Sequence, residues 1–192
     1  MATERKQSIR CFIAIDIPEE IKTDLEKLQD SLRQRGGSIS WTRSEGIHLT
    51  LKFLGNVESD LIPKIEASLE ETASAVGPFS IAAEGVGCFP NSRRPRVLWV
   101  GLDGGEPLLA IQEAVEQATE PLGFEREHRK FHPHLTLGRV RLPNGIDRVV
   151  AEMERQGFDR HEFITAEIRL MRSELHPTGA VYSVLHSVKL RR

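Results

Sequence analysis

His48-Leu49-Thr50-Leu51 and His134-Leu135-Thr136-Leu137 are one short phrase written twice, 86 positions apart (48 to 134). Each copy lies in a run that alternates with period two. In a strand that period puts His and Thr on one face and both Leu on the other. Leu and Thr alone would make an ordinary half-buried strand. The exact repeat, in a chain with only seven histidines, points instead to a pair of imidazole–hydroxyl sites. The first motif strand is expected around 47–54 and the second around 133–140.

Working outward, Ile9 to Ile15 forms a strand without a breaker. Asp16-Ile17-Pro18-Glu19 predicts a helix start with Asp16 as cap and Pro18 in the first turn. Ile21, Leu25, Leu28 and Leu32 continue that helix, and Gly36-Gly37 stops it. A short strand over Ile39 to Trp41 precedes the first motif. Leu61, Ile65 and Leu69 predict a second helix, with Pro63 near its start. Phe79 to Val86 and Val97 to Leu102 predict strands on either side of a loop that carries Arg93, Arg94 and Arg96. Leu108, Ile111 and Val115 stripe a third helix ending before Pro121, and the second motif strand runs from His134 to Val140. A fourth helix covers Ile146 to Arg155. Two long strands, Phe163 to Leu175 and Val181 to Leu190, close the chain around the turn at His176-Pro177-Thr178-Gly179.

The total is four helices and seven or eight strands, with residues 1–8 a loose start. Strand and helix recur around each copy of the motif. This predicts residues 1–192 as a single α+β domain of two pseudo-symmetric lobes, each an antiparallel-rich sheet with helices on its outer side. A pseudo-two-fold relation would bring His48 and His134 to one central cleft.

The 26 basic and 28 acidic residues leave a formal charge of −2, so the molecule has no overall cationic field, and any polyanionic partner must meet a local patch. Hydrophobic residues make up 39% of the chain, enough for a core without a structural metal. The two cysteines, Cys11 and Cys88, form neither a disulfide framework nor a metal pair. No apolar signal core follows the charged N-terminus, and no apolar run approaches the length of a membrane span. A soluble cytoplasmic protein, monomeric and without an obligate protein partner or membrane contact, is expected.

Two histidines on one cleft suit displacement at phosphorus. One neutral imidazole takes a proton from the attacking oxygen while an imidazolium protonates the departing one. Thr50 and Thr136 can donate to the non-bridging oxygens as charge grows there. This chemistry needs no metal or cofactor. His132-Pro133-His134 supplies two imidazoles, but no carboxylate cluster or Cys pair completes a metal set. There is no Gly-x-Ser-x-Gly elbow and no Gly-x-x-x-x-Gly-Lys phosphate loop. His128 and His132 stand close enough before the second motif to touch substrate, whereas His161, His176 and His186 read as structural or exposed. Arg139, at the end of the second motif strand, could reach either face. The arginines of the 93–96 loop are either a solvated face or the lining of a groove suited to phosphate.

These residues resemble the 2H phosphoesterase superfamily, and within it the RNA 2′,3′-cyclic phosphodiesterase (2′-5′ RNA ligase-like, LigT-like) family. The resemblance is carried by Arg10-Cys11-Phe12-Ile13-Ala14-Ile15, by Trp41 and His48-Leu49-Thr50-Leu51-Lys52-Phe53-Leu54-Gly55, by Arg96-Val97-Leu98-Trp99-Val100-Gly101, and by Phe131-His132-Pro133-His134-Leu135-Thr136-Leu137-Gly138-Arg139. It implies the bilobal fold with a central cleft, and metal-independent opening of RNA 2′,3′-cyclic phosphate ends to 2′-phosphates. It also implies a possible reverse joining to 5′-hydroxyl RNA through a 2′-5′ bond. His48 and His134 become the acid and the base, and Thr50 and Thr136 the phosphate holders. Arg139, with Phe53 or Phe131, is a candidate substrate contact, joined by His132 and Arg96. Since the 3′-oxygen leaves, family precedent makes His48 the acid and His134 the base. An RNA substrate follows from the 2′-oxygen that DNA lacks. The alternatives are an enzyme for small cyclic phosphates, such as ADP-ribose 1″,2″-cyclic phosphate or a cyclic mononucleotide, and a non-catalytic module that binds RNA ends.

Overall fold

A computed structural model describes residues 8–177 and 179–191. The loose start expected over 1–8 therefore lies, apart from Ser8, outside the described residues, as does Thr178 of the expected turn. The elements follow in the order β1 (Ser8–Ile15), α1 (Glu19–Arg33), β2 (Ser38–Trp41), β3 (Leu49–Glu58), α2 (Ile62–Ser74), β4 (Phe79–Phe89), β5 (Val97–Asp103), α3 (Gly105–Thr119), β6 (His134–Leu142), α4 (Ile146–Gln156), β7 (His161–Thr165), β8 (Glu167–His176) and β9 (Gly179–Lys189).

All nine strands join one antiparallel sheet, ordered β7-β4-β5-β6-β3-β1-β8-β9, with β2 also paired to β6. Counted outward from the β6–β3 seam along this order, each side has four strands, and β2 adds a fifth to the β6 side. The two sides are not the two halves of the chain. First-half β4 and β2 pair with second-half β5 and β6, and second-half β8, with β9 beyond it, pairs with β1, so each half passes two strands to the other side of the seam.

Two expectations need correction. The single strand predicted over Phe163 to Leu175 is two strands, β7 and β8, interrupted at Ala166. Its alternation is continuous, but β7 pairs with β4 at one end of the sheet while β8 pairs with β1 toward the other. One residue joins them, and there Leu190 N–H donates to the Ala166 carbonyl at 2.9 Å, extending the β8–β9 ladder by one step. Secondly, Asp16 does not cap α1. The N-cap position is Pro18 with no side-chain cap, because the Asp16 carboxylate is engaged by Lys22 at 3.0 Å and Arg169 at 2.6 Å.

The helices cover one face of the sheet, α1 against α4 and α2 against α3. The core between helices and sheet takes Leu25 and Leu32 from α1, Ile65 and Leu69 from α2, Ile111 and Val115 from α3, and Val149 and Met153 from α4. Leu49, Leu51, Leu135 and Leu137 fill it from the sheet side, so the Leu half of each repeated phrase is core. Both cysteines are free. Among the described residues no helix is long and apolar enough to cross a membrane.

Candidate active site

The two motif strands touch at one residue pair, Leu49 with Leu135. Residues flanking a matched pair in an antiparallel ladder face each other in turn, which sets His48 across from Thr136 and Thr50 across from His134. Because both Leu point into the core, all four polar side chains stand on the opposite, open face. His48 and His134 are then diagonal neighbours, roughly 7–8 Å apart at Cα. Beyond this pair the strands part: β6 continues against β2, and β3 continues against β1 alone. The seam that holds the four residues together is thus one pair wide.

Each imidazole is fixed in the same way. The Gly46 carbonyl accepts from His48 Nδ1 at 2.8 Å, and the His132 carbonyl accepts from His134 Nδ1 at 2.7 Å. A carbonyl partner requires the proton on Nδ1, which leaves Nε2 as the basic nitrogen of the neutral ring. Phe12 stacks on His48 at 4.6 Å and 23°, and Tyr182 meets it edge-on at 5.1 Å. Phe89 stands edge-on to His134 at 4.9 Å, with Trp99 at 6.5 Å.

Burial lowers the pKa of both rings. His48 is brought down to about 4, against the Gly46 carbonyl and the Asp16 carboxylate, which favour its charged form, while Lys22 disfavours it. His134 is also lowered, by burial first; its His132 carbonyl opposes this, and the charges of Arg139 and His132 add to it. Both rings are accordingly neutral in the free protein at pH 7. Burial alone would raise the Asp16 carboxyl, but Lys22 and Arg169 outweigh it and hold the group below the usual range. A cavity of about 180 Å³ adjoins His48 and is bordered by Asp16, Lys22, Arg169, Met171, Tyr182 and Val184.

A bulge in each motif strand decides what else reaches this face. Across β1, Ala14 pairs with Thr50 and Ile13 with Lys52, so Leu51 is an extra residue. Across β5, Trp99 pairs with Thr136 and Leu98 with Gly138, so Leu137 is extra. An extra residue reverses the alternation beyond it. Lys52 and Gly138 turn to the helix side, and Phe53 and Arg139 come onto the face of the histidines. Phe53 is 65% exposed there, 6.1 Å from the Phe12 ring. Arg139 pairs with Val97 and is close enough for its charge to act on His134.

Phe131 packs against the core. His132 is exposed and serves His134 through its carbonyl, with its ring 6.1 Å from Phe89. Arg96 is exposed, and its backbone bonds Phe89 and Val140. Arg93 and Arg94 are exposed in a turn closed by the Asn91 side chain. His161 lies 3.8 Å from Asp24, and His186 lies 3.1 Å from Glu70. Among the described residues no group of three or more His, Cys, Asp or Glu side chains could hold a metal ion. Sequence reasoning missed Phe12, Tyr182 and the Asp16–Lys22–Arg169 cluster beside His48. The one available signal was Tyr182, the sole tyrosine of the chain.

Residues 15–99 and 100–182 both match the family model described as LigT like Phosphoesterase. The chain is 33% identical to the RNA 2′,3′-cyclic phosphodiesterase of Methanothermobacter thermautotrophicus, covering 95% of this chain and 99% of that protein. It is 34% identical to the protein of the same name from Methanocaldococcus jannaschii, covering 92% and 98%. Among solved structures, TT0787 of Thermus thermophilus superposes with a TM-score of 0.79 at 29% identity, covering 95% and 98%. E. coli LigT, solved in complex with 3′-AMP, has the same fold with a TM-score of 0.74 at 23% identity, covering 97% and 100%.

Proposed function

The chain belongs to the LigT-like phosphoesterase family, and from that premise we propose that it opens the 2′,3′-cyclic phosphate at an RNA end to a 2′-phosphomonoester, with His48 and His134 as one acid–base pair. The observation that carries this is the Leu49–Leu135 pair, which sets two His-x-Thr units on one open face. The relatives named for this activity align over nearly their whole length.

In the proposed reaction a water oxygen attacks phosphorus, and His134 Nε2 takes its proton. The bond from phosphorus to the 3′-oxygen breaks, and that oxygen takes the proton carried by His48 Nε2, leaving phosphate on the 2′-oxygen. The Thr50 and Thr136 hydroxyls donate to the non-bridging oxygens, and Arg139 adds a fixed positive charge beside them. The charged neighbours divide in this sense, although burial lowers His48 further than His134 and Lys22 adds to that. Asp16 favours a charged His48, whereas Arg139 and His132 favour a neutral His134. Burial keeps His48 uncharged in the free protein, so its working proton arrives with the anionic substrate, whose charge stabilises the imidazolium. Phe53 offers an exposed ring on which a terminal base can stack. With a 5′-hydroxyl in place of water as the nucleophile, the same groups join a cyclic end to it by a 2′-5′ bond as the 3′-oxygen leaves.

The test is incubation with an RNA oligonucleotide ending in a 2′,3′-cyclic phosphate, in EDTA, beside 2′,3′-cyclic AMP and ADP-ribose 1″,2″-cyclic phosphate. Release of a 2′-phosphate end, fastest on the oligonucleotide, is expected. No hydrolysis, or hydrolysis abolished by EDTA, rules the proposal out. Faster turnover of either small substrate replaces RNA as the substrate class, and end binding without turnover makes the protein a binding module.

A further inference from the structure

Two buried polar side chains on the helix face have no part in the chemistry above, and they occupy corresponding positions. Aligning Ile21, Leu28 and Leu32 of α1 with Leu108, Val115 and Thr119 of α3 sets Gln29 against Glu116, and all eight are buried. Gln29, 1% exposed, uses both hydrogens of its amide: Nε2 donates to the Leu137 carbonyl at 2.8 Å and to the Thr42 carbonyl at 2.8 Å. Leu137 is the bulge residue of β6, and its carbonyl also accepts from Thr42 N–H at 2.9 Å. Glu116 bonds Lys52, the residue just past the bulge of β3, and accepts from Glu127 N–H at 3.3 Å. Lys52 in turn donates to the Glu125 carbonyl at 2.8 Å.

The two arrangements are crossed. The helix of the first repeat grips the second motif strand together with the segment leading to the first motif, and the helix of the second repeat does the converse. They brace the seam where a single residue pair joins β3 to β6. The Leu137 carbonyl has the Thr42 N–H as its backbone donor, and the Gln29 amide adds a second donor to it and one to the Thr42 carbonyl, which ties α1 to the bulged register. Lys52 reaches the buried Glu116 only because the bulge at Leu51 turns it to the helix side, so this pair favours the bulged register too. In the unbulged register Arg139 and Phe53 would alternate onto the core face.

We propose that Gln29 and the Lys52–Glu116 pair are positioning residues that fix the bulges at Leu137 and Leu51, and thereby aim Arg139 and Phe53 at the substrate. This rests on the cyclic-phosphate reading of the site.

The experiment is a double-mutant cycle on kcat/KM with the cyclic-ended oligonucleotide, using Gln29→Met, Arg139→Ala and the double variant. Methionine keeps the volume and removes the donors. Gln29→Met is expected to cost about tenfold when Arg139 is present, the scale of a small misplacement at a reacting group, and less than about twofold when Arg139 is absent. Equal losses in both backgrounds, or no loss, overturn the proposal. Thermal midpoints should fall by the same amount in both backgrounds, which separates stability from aim. If Gln29→Met does not fold, the same cycle is run with the paired replacement Lys52→Met/Glu116→Met against Phe53→Ala, with the same outcomes. A crystal structure of the folded Gln29→Met or Lys52→Met/Glu116→Met variant, a replaced latch in either case, reads the register without reference to activity. Loss of the bulge is expected, and an unchanged bulge with Arg139 still on the histidine face overturns the proposal. An inactive parent protein contradicts the substrate reading, and the structural arm still decides the latch.

Discussion

Leu49 and Leu135 face each other as the one residue pair that joins β3 to β6, and their side chains are buried at 1% and 0% exposure. The pair does two things at once. It is core, and it sets the distance between two imidazoles on the opposite face of the sheet. Leu49→Ala or Leu135→Ala should destabilise the fold by about 2–5 kcal/mol, the cost of a cavity in a closed core. Urea denaturation measures this, and the remaining folded protein should lose turnover because the seam loosens. Full kcat in either folded variant would separate the seam from the site.

Thr50 and Thr136 are placed to act on the transition state rather than on binding. Replacing either by valine keeps the shape and removes the donor. kcat should fall about 10²–10³-fold, the effect of losing one preorganised donor to a charged oxygen, while KM changes little. Steady-state kinetics on the cyclic-ended oligonucleotide checks this. A loss carried by KM alone would assign the hydroxyls to ground-state binding.

The depressed histidine pKa values set the pH dependence. Both rings titrate below 6.5 in the free protein, His48 at about 4. kcat/KM reports the free protein and needs one ring charged and the other neutral. It should therefore peak on the acid side of 6.5 and decline as pH rises through that value. Bound phosphate raises both pKa values, so the kcat profile should lie at higher pH. A kcat/KM optimum above pH 7 would contradict the burial of the pair.

Asp16 favours the charged form of His48. Asp16→Asn removes that influence and leaves Lys22 beside the ring, so the imidazolium becomes harder to form. The ascending limb of kcat/KM, set by the lower of the two pKa values, should move to lower pH, and activity at pH 7 should drop about fivefold, the equivalent of about 1 kcal/mol of lost charge interaction. NMR titration of His48 should show the same downward displacement. An unchanged titration would remove Asp16 from the mechanism.

The repeated phrase was legible because period two is a local property: alternation alone assigns Leu to core and His and Thr to the open face. The four helices were equally legible from their apolar stripes. The placement of Arg139 and Phe53 was not, since it depends on bulges at Leu137 and Leu51 whose neighbours Gln29 and Glu116 come from elsewhere in the sequence. Asp16 has the local signature of a helix cap, yet Arg169, from the far end of the chain, competes for it. The break at Ala166 was missed because the even positions Ile164, Ala166, Ile168 and Leu170 read as one apolar face, yet Ile164 and Ala166 are exposed and the buried face moves from Phe163 and Thr165 to Ile168 and Leu170 across the break. Tyr182 reaches His48 because β8 and its partner β9, which carries Tyr182, lie on the β1 side of the seam, an exchange invisible to any reading of one half at a time.

The central claim is that His48 and His134 act as one unit. Its most direct measurement is single-turnover hydrolysis of a 2′,3′-cyclic-ended RNA oligonucleotide by the wild-type protein, His48→Ala, His134→Ala and the double variant, all in EDTA. Each single replacement should reduce the rate by about 10²–10⁴-fold, the contribution of a positioned acid or base. The double variant should be scarcely slower than either single one, as for groups that work together. Near-full hydrolysis by either single variant, or losses that multiply in the double variant, would contradict it.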